Sequence, residues 1–406
     1  MSTTEFSLIK GKSAVRAADF IAFVADRQTE QVLKAFVLEQ ALPHAHIAVG
    51  SIDEAISHVT KLERSPQFLL VDLHDSAMPL SDLGRLAEVC EPSVQVIGIG
   101  ERNDVGLFRS LLKIGVHDYL VKPLTVELLK RTVNTADGKV TPVTLTRTGK
   151  TIAFAGTRGG VGVTTLALNL ARHLADTTHR RVAYVDLNLT GGAANCMLGT
   201  QSNNGLSDVL ENAHRLDPQY VERTLMANGS RLFMLTADID YGAEPPYKPG
   251  ALARVIELLC DSFHYVIIDI GNPSAPLSQE ALNHASRAYL VTDRSVHSTR
   301  ESIRLLRYIE NRDNNPPTSI LLNNPSAVSA GKVQPNDFMS AVGRSVLHEI
   351  QFEAKALATA ENLGEAPKDK TPNGFNQAIT RIASDLTGQQ AAAGRSLLRK
   401  FSLRRG

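Results

Sequence analysis

Residues 151–165, TIAFAGTRGGVGVTT, hold the densest chemistry in the chain: Gly159, Gly160 and Gly162 lie between an apolar β-type stretch and a helix-like run that Thr164 opens. Glycines let a backbone turn tightly with positive φ, so that successive N–H groups and the positive end of the next helix converge on an anion. A strand, a glycine turn and a helix in that order form the context of a phosphate-binding P-loop. The position from which a lysine would reach the β- and γ-phosphates is Val163, and a second cation position, just before the glycine pair, is Arg158. The sequence therefore keeps the frame of a nucleotide site and lacks its main cation.

Such a loop needs a parallel sheet to hold it. From residue 151 to about residue 388 the sequence alternates helices with the apolar strands TIAFAG, RVAYVDL, RLFMLTA, YVIIDIG, AYLVTD and SILLNN. Near-continuous apolarity of this kind predicts strands covered by helices on both faces. A second alternation precedes it over residues 18–134, with strands FIAFVAD, AHIAVG, FLLVDL, VQVIGIG and DYLVKP. Five β/α steps predict a flavodoxin-like doubly wound sheet. The expected fold is thus α/β with two doubly wound parallel-sheet domains. Residues 1–17 are expected to form a tail, 135–150 a polar linker and 389–406 a basic tail.

At 406 residues the chain is long enough for two cores. Hydrophobic residues at 43% and charged residues at 21% describe a globular protein, and no apolar run approaches the ~18 residues of a membrane span. The N-terminal MSTTEFSLIKGK has no signal-peptide core, which predicts a cytoplasmic protein. Cys90, Cys196 and Cys260 are scattered without metal-ligand spacing, so neither a disulfide framework nor a zinc site is expected. A net charge of +1 gives no bulk attraction for nucleic acid, and no nucleic acid is expected as a partner.

The first domain resembles the receiver domain of response regulators. Asp72 ends the strand FLLVDL at the phospho-acceptor position, Met78-Pro79 follow, and Lys122-Pro123 close the last strand. Three departures remove chemistry. The acidic pair that would hold a divalent metal is reduced to Asp26, because Arg27 stands beside it; the loop after Asp72 is long; and Gly100 stands where a receiver needs a hydroxyl. The resemblance therefore implies an atypical receiver-like docking or dimerisation module. Asp72 and Lys122 equally fit a plain ion pair.

The second domain resembles the ParA/MinD class of deviant Walker A ATPases, whose loop reads KGGxGK[ST]. The two domains in this order resemble the CpaE/TadZ pilus-assembly proteins, which join an atypical receiver to a MinD-like domain. The segments RVAYVDLNLTGGAANCMLGT and AYLVTDRSVHSTRESIRLLRYI follow the family's course. The resemblance implies that Gly159, Gly160, Val161 and Gly162 wrap the phosphates, that Thr164 meets Mg²⁺, and that Thr165 adds a donor. It also implies that Asp269, closing HYVIIDIG, holds Mg²⁺ through water. The family's DxD switch reads Asp186-Leu187-Asn188, so its second acid is an amide. Asn323 stands where relatives read adenine, with Asn324 as a neighbouring candidate, and either also suits a turn before Pro325.

A charge-assisted hydrogen bond contributes about 1.5–3 kcal/mol, so the missing lysine weakens ATP binding by roughly one to two powers of ten. Hydrolysis suffers more, because phosphoryl transfer depends on fixed positive charge and an oriented water. ATP and Mg²⁺ are thus expected to bind weakly or not at all. By the same resemblance Arg158 would reach across a dimer to the partner's nucleotide, a grip that suits a guanidinium; it also suits a solvent-exposed arginine.

Arg395, Arg399, Lys400, Arg404 and Arg405 surround Leu397, Leu398 and Phe401, a short basic amphipathic end of the kind MinD-like proteins lay on acidic membranes. It equally fits a solvated tail. The expectation is a dimeric scaffold that places and assembles Flp/tight-adherence type IV pili at the inner membrane or a cell pole, contacts the secretion machinery and turns over little ATP. A cycling ParA/MinD-type ATPase and a phosphorylation-controlled regulator are the alternatives.

Overall fold

The computed structural model describes residues 19–42, 44–62, 65–136, 148–324, 331–367 and 374–388. The tail, most of the linker and the basic end named above lie outside them. The chain divides into two compact units, residues 1–147 and 148–406.

In the first unit the strands are β1 (Phe20–Val24), β2 (Ala45–Val49), β3 (Phe68–Asp72), β4 (Gln95–Gly100) and β5 (Asp118–Val121). They form one parallel sheet in the order β2-β1-β3-β4-β5, the flavodoxin-type order. Alternation along β1 divides its side chains between two cores. Ile21 and Phe23 pack under α2 (Ile52–Lys61) and α3 (Pro79–Val89), while Phe20, Ala22 and Val24 pack under α1 (Arg27–Glu39) and α5 (Val126–Ala136). The fourth helix, α4, spans Val105–Lys113. Helix α5 runs on to Ala136, into the stretch expected to be linker, and the next strand already takes in Lys150.

The second unit holds an eight-stranded sheet made of β6 (Lys150–Gly156), β7 (Val182–Asp186), β8 (Met226–Asn228), β9 (Leu232–Leu235), β10 (Tyr265–Ile270), β11 (Arg287–Thr292), β12 (Thr318–Asn323) and β13 (Val346–Ile350). Its order is β13-β12-β11-β6-β10-β7-β9-β8. The sequence reading missed β8 and β13, both edge strands, and β8 runs antiparallel to β9 in a sheet expected to be wholly parallel. Along β10, Val266, Ile268 and Ile270 enter one core, and Tyr265 and Ile267 enter the other. This is the two-sided burial that makes a central strand apolar throughout. The loop's helix, α6 (Val163–Asp176), begins one residue earlier than expected, so the lysine position is its first residue. Because β6, β7 and β9 to β13 all run one way, their C-terminal ends share one sheet edge, where such folds bind ligands.

Candidate functional site

That edge gathers residues far apart in sequence. Between β6 and α6 the loop turns on Gly160 (φ +73°) and Gly162 (φ +96°), both left-handed. Gly162 has a second reason to be glycine: a Cβ there would stand 2.4 Å from Nδ2 of Asn323. That amide instead donates to the Val161 carbonyl at 2.7 Å, pinning the loop to the end of β12. Asn323, expected to face adenine, thus has one of its two amide hydrogens committed to the loop. Asn324 donates to the Ile350 carbonyl and to Glu349 on β13. Gly162→Ala is expected to cost about 1–2 kcal/mol from the left-handed backbone alone, and more because Asn323 must move. Urea denaturation measures it, and an unchanged midpoint would contradict the geometry.

Val163 is packed on apolar neighbours. Its Cγ2 lies where a Cβ on Gly156 would be only 2.5 Å away, and its side chain packs against the core that includes Phe154, Leu166 and Leu170. Thr164 and Thr165 follow on the first turn of α6, part-exposed, and the Thr165 carbonyl accepts from Asn169 Nδ2.

Asp186 and Asp269 end neighbouring strands in direct register, both buried. Burial first, and then the Asp269 charge, push the Asp186 carboxyl up to about 7, against the N–H groups of Asn188 and Ala194. Burial also raises Asp269, while hydrogen bonds from Thr164 and Tyr184 oppose it. The Tyr184 hydroxyl donates to Asp269 Oδ2 at 2.9 Å, a contact that the sequence reading missed. The two-residue step from Tyr184 to Asp186 puts both on one face of β7, but only the pairing of β7 with β10 brings that face to Asp269. Asn188 is exposed; its N–H donates to Asp186 Oδ1 at 2.9 Å, and its side chain packs over Gly271. The residues that would hold Mg²⁺, Thr164 and Asp269, therefore adjoin, and they fit a hydrated divalent cation. Among the described residues the side-chain donors to Asp269 are the hydroxyls of Thr164 and Tyr184, both neutral.

Arg158 is neither free nor turned outward. Its Nη2 lies 2.5 Å and its Nε 3.2 Å from Oδ2 of Asp293, just past β11, and its Nη1 donates to the Gly159 carbonyl at 3.0 Å. The sequence reading missed Asp293 as well.

In the first unit, Asp26 caps α1 by accepting from the Thr29 N–H at 2.7 Å, and Lys122 Nζ lies 2.6 Å from Asp26 and 2.5 Å from Asp72. Asp72 also accepts from the N–H groups of Ala25 and His74. The Lys122 hydrogen bond holds the Asp26 carboxyl down at about 2, although burial opposes it. Burial alone would lower the Lys122 ammonium, and the two carboxylates together raise it. At Gly100 a Cβ would meet the Tyr119 hydroxyl at 2.3 Å, so a phenol fills the place of the expected missing hydroxyl.

Residues 149–317 match the AAA_31 family model, an AAA domain. The septum site-determining protein MinD of Bacillus subtilis (strain 168) is 24% identical over 177 residues, which are 43% of this chain and 65% of that protein's length. The chain thus spans just under two thirds of the curated relative that it matches. A ParA family ATPase from Chlorobium tepidum TLS superposes with a TM-score of 0.53 at 20% identity, over 58% of this chain and 98% of that one. A putative CpaE2 pilus assembly protein from Sinorhizobium meliloti 1021 is 31% identical over 29% of this chain and 97% of that one, with a TM-score of 0.26. The second unit has the ParA/MinD-like P-loop NTPase fold.

Proposed function

We propose that this chain is a CpaE/TadZ-like localisation and assembly factor for Flp/tight-adherence type IV pili, acting as a dimeric scaffold around a degenerate ATP site. The observation that carries the reading is Val163: the loop keeps its left-handed glycines and its tie to Asn323, while the lysine position is an apolar side chain packed on Gly156. Backbone N–H groups of residues 159–165 and Mg²⁺ held near Thr164 and Asp269 would bind a nucleotide weakly. When bound, Mg²⁺ supplies the charge that the lysine does not. With Asn188 in place of an acid, the attacking water lacks a positioning carboxylate.

The first unit serves as a receiver-like contact surface. Its central lysine is spent on Asp26 and Asp72, which supports docking rather than phosphoryl chemistry. The pilus role rests on the order of the two domains and on their resemblance to that family. Among the described residues no helix is long and apolar enough to cross a membrane. Membrane or polar attachment would fall to the basic end, which lies outside those residues.

Titrating the purified chain with fluorescent ATP, with and without Mg²⁺, tests the site. Weak Mg²⁺-dependent binding that Asp269→Ala removes is expected, and tight metal-independent binding contradicts it. Deleting the gene tests the role: loss of assembled surface pili is expected, and normal piliation would end the assembly reading.

A further inference from the structure

We propose that the ion pair between Arg158 and Asp293 is a latch that keeps the loop's cation inside its own subunit until the phosphates of a nucleotide on a facing copy displace Asp293. The inference rests on the reading of the chain as a nucleotide-binding dimer and adds a control to that site.

The latch is built from both sides. Asp293 is the fixed half, with its side chain 7% exposed and its Oδ1 accepting from the Ser295 N–H at 3.0 Å. Burial works to raise this carboxyl, and Arg158 with the Ser295 donors overcomes it, holding it at about 2. The backbone around it is tied down too. Thr157 N–H donates to the Val291 carbonyl, and the buried hydroxyls of Thr157, Thr292 and Ser302 form a chain from the loop to the helix Val296–Glu310.

Arg158 is the mobile half. Its side chain is 34% exposed, it rests beside the exposed Gly159 and Gly160, and nothing within 4 Å would meet a Cβ on Gly159. A side chain leaving Asp293 therefore has open space on the side of Gly159. A polyphosphate carries more charge than one carboxylate, so it competes directly for the guanidinium, which meets Asp293 through a single oxygen. Opening leaves Asp293 buried without its cation, so the exchange runs only when a phosphate stands close enough to replace it.

The test compares monomer–dimer equilibria by sedimentation, with and without Mg·ATP or its non-hydrolysable imido analogue, for the wild type, Asp293→Asn, Arg158→Lys, Arg158→Ala and the Asp293→Asn/Arg158→Ala double variant. Asparagine keeps the acceptor for Ser295 and removes the charge. Asp293→Asn is expected to tighten nucleotide-dependent dimerisation about tenfold, the low end of one charge-assisted contact. Arg158→Lys, which keeps the carboxylate but loses the fork, is expected to tighten it less; this variant decides if Asp293→Asn fails to fold. Arg158→Ala and the double variant should lose the nucleotide response alike. If nucleotide drives wild-type dimerisation and neither Asp293→Asn nor Arg158→Lys tightens it, the latch is refuted and the dimer reading stands. If no variant responds to nucleotide, both fall. A response in Asp293→Asn that the wild type lacks would establish the latch outright.

Discussion

Replacing Val163 with lysine is expected to tighten Mg·ATP binding by about ten- to a hundredfold, the equivalent of one charge-assisted contact of roughly 1.5–3 kcal/mol. The position is the first residue of α6, directly after a left-handed glycine, so a long side chain there starts from the N-terminal rim of the helix. Nothing else in the loop fills the role, because Arg158 is bound to Asp293. The next residue, Thr164, hydrogen-bonds Asp269, which pairs in register with Asp186; burial raises both carboxyls, and the Asp269 charge raises Asp186 further. The cost is modest. Val163 is only partly buried, so losing its contacts with Gly156 and the core removes part of the roughly 1.5–3 kcal/mol that a fully buried side chain of its size contributes. Calorimetric titration with Mg·ATP reads the gain. An affinity equal to the wild type's would show that the loop is misshapen for phosphate whatever its charge.

The largest effect on stability is expected in the first unit, from Lys122→Met. Lys122 lies between Asp26 and Asp72, and the Asp72 side chain is 1% exposed. Removing the cation leaves two carboxylates facing one another with one of them buried, and breaking a buried pair from one side costs about 3–5 kcal/mol. Asp72→Asn should cost less, because the amide oxygen still accepts from one of the two N–H groups, Ala25 or His74, that now bind separate carboxylate oxygens, and Lys122 keeps Asp26. The clamp also has an acid limit. Asp26 is held at about 2 in the folded chain, against 3.8 ordinarily, so its contribution is complete above pH 3.8 and drains away as the pH falls towards 2. Urea denaturation at neutral pH compares the variants. If Lys122→Met unfolds with the wild type, the three residues do not act as a clamp.

Much of this could be read from the chain. The eleven strands anticipated from apolar runs all form, because a strand buried on both faces has to be apolar nearly throughout. The three-residue β8 and the half-exposed β13, VLHEI, escaped because edge strands carry no such pattern. The glycine loop was legible because positive φ leaves its mark in residue type, and Asp186 and Asp269 because their strands resemble the family's switch and metal-binding segments. Asp293 and Tyr184 were not. Their partners lie 135 and 85 residues away along the chain, and only strand order shows that β11 borders β6 and β7 borders β10. The same distance hid that Asn323 serves the loop backbone and that Arg158 is held at home.

The most direct measurement is single-turnover hydrolysis of Mg·ATP by purified wild-type chain, with Val163→Lys and Asp269→Ala run beside it. The missing cation predicts wild-type turnover indistinguishable from that of Asp269→Ala, with any gain confined to Val163→Lys. Wild-type hydrolysis well above Asp269→Ala, unimproved by the lysine, would show that this pocket stabilises the phosphoryl group by other means and would contradict the account.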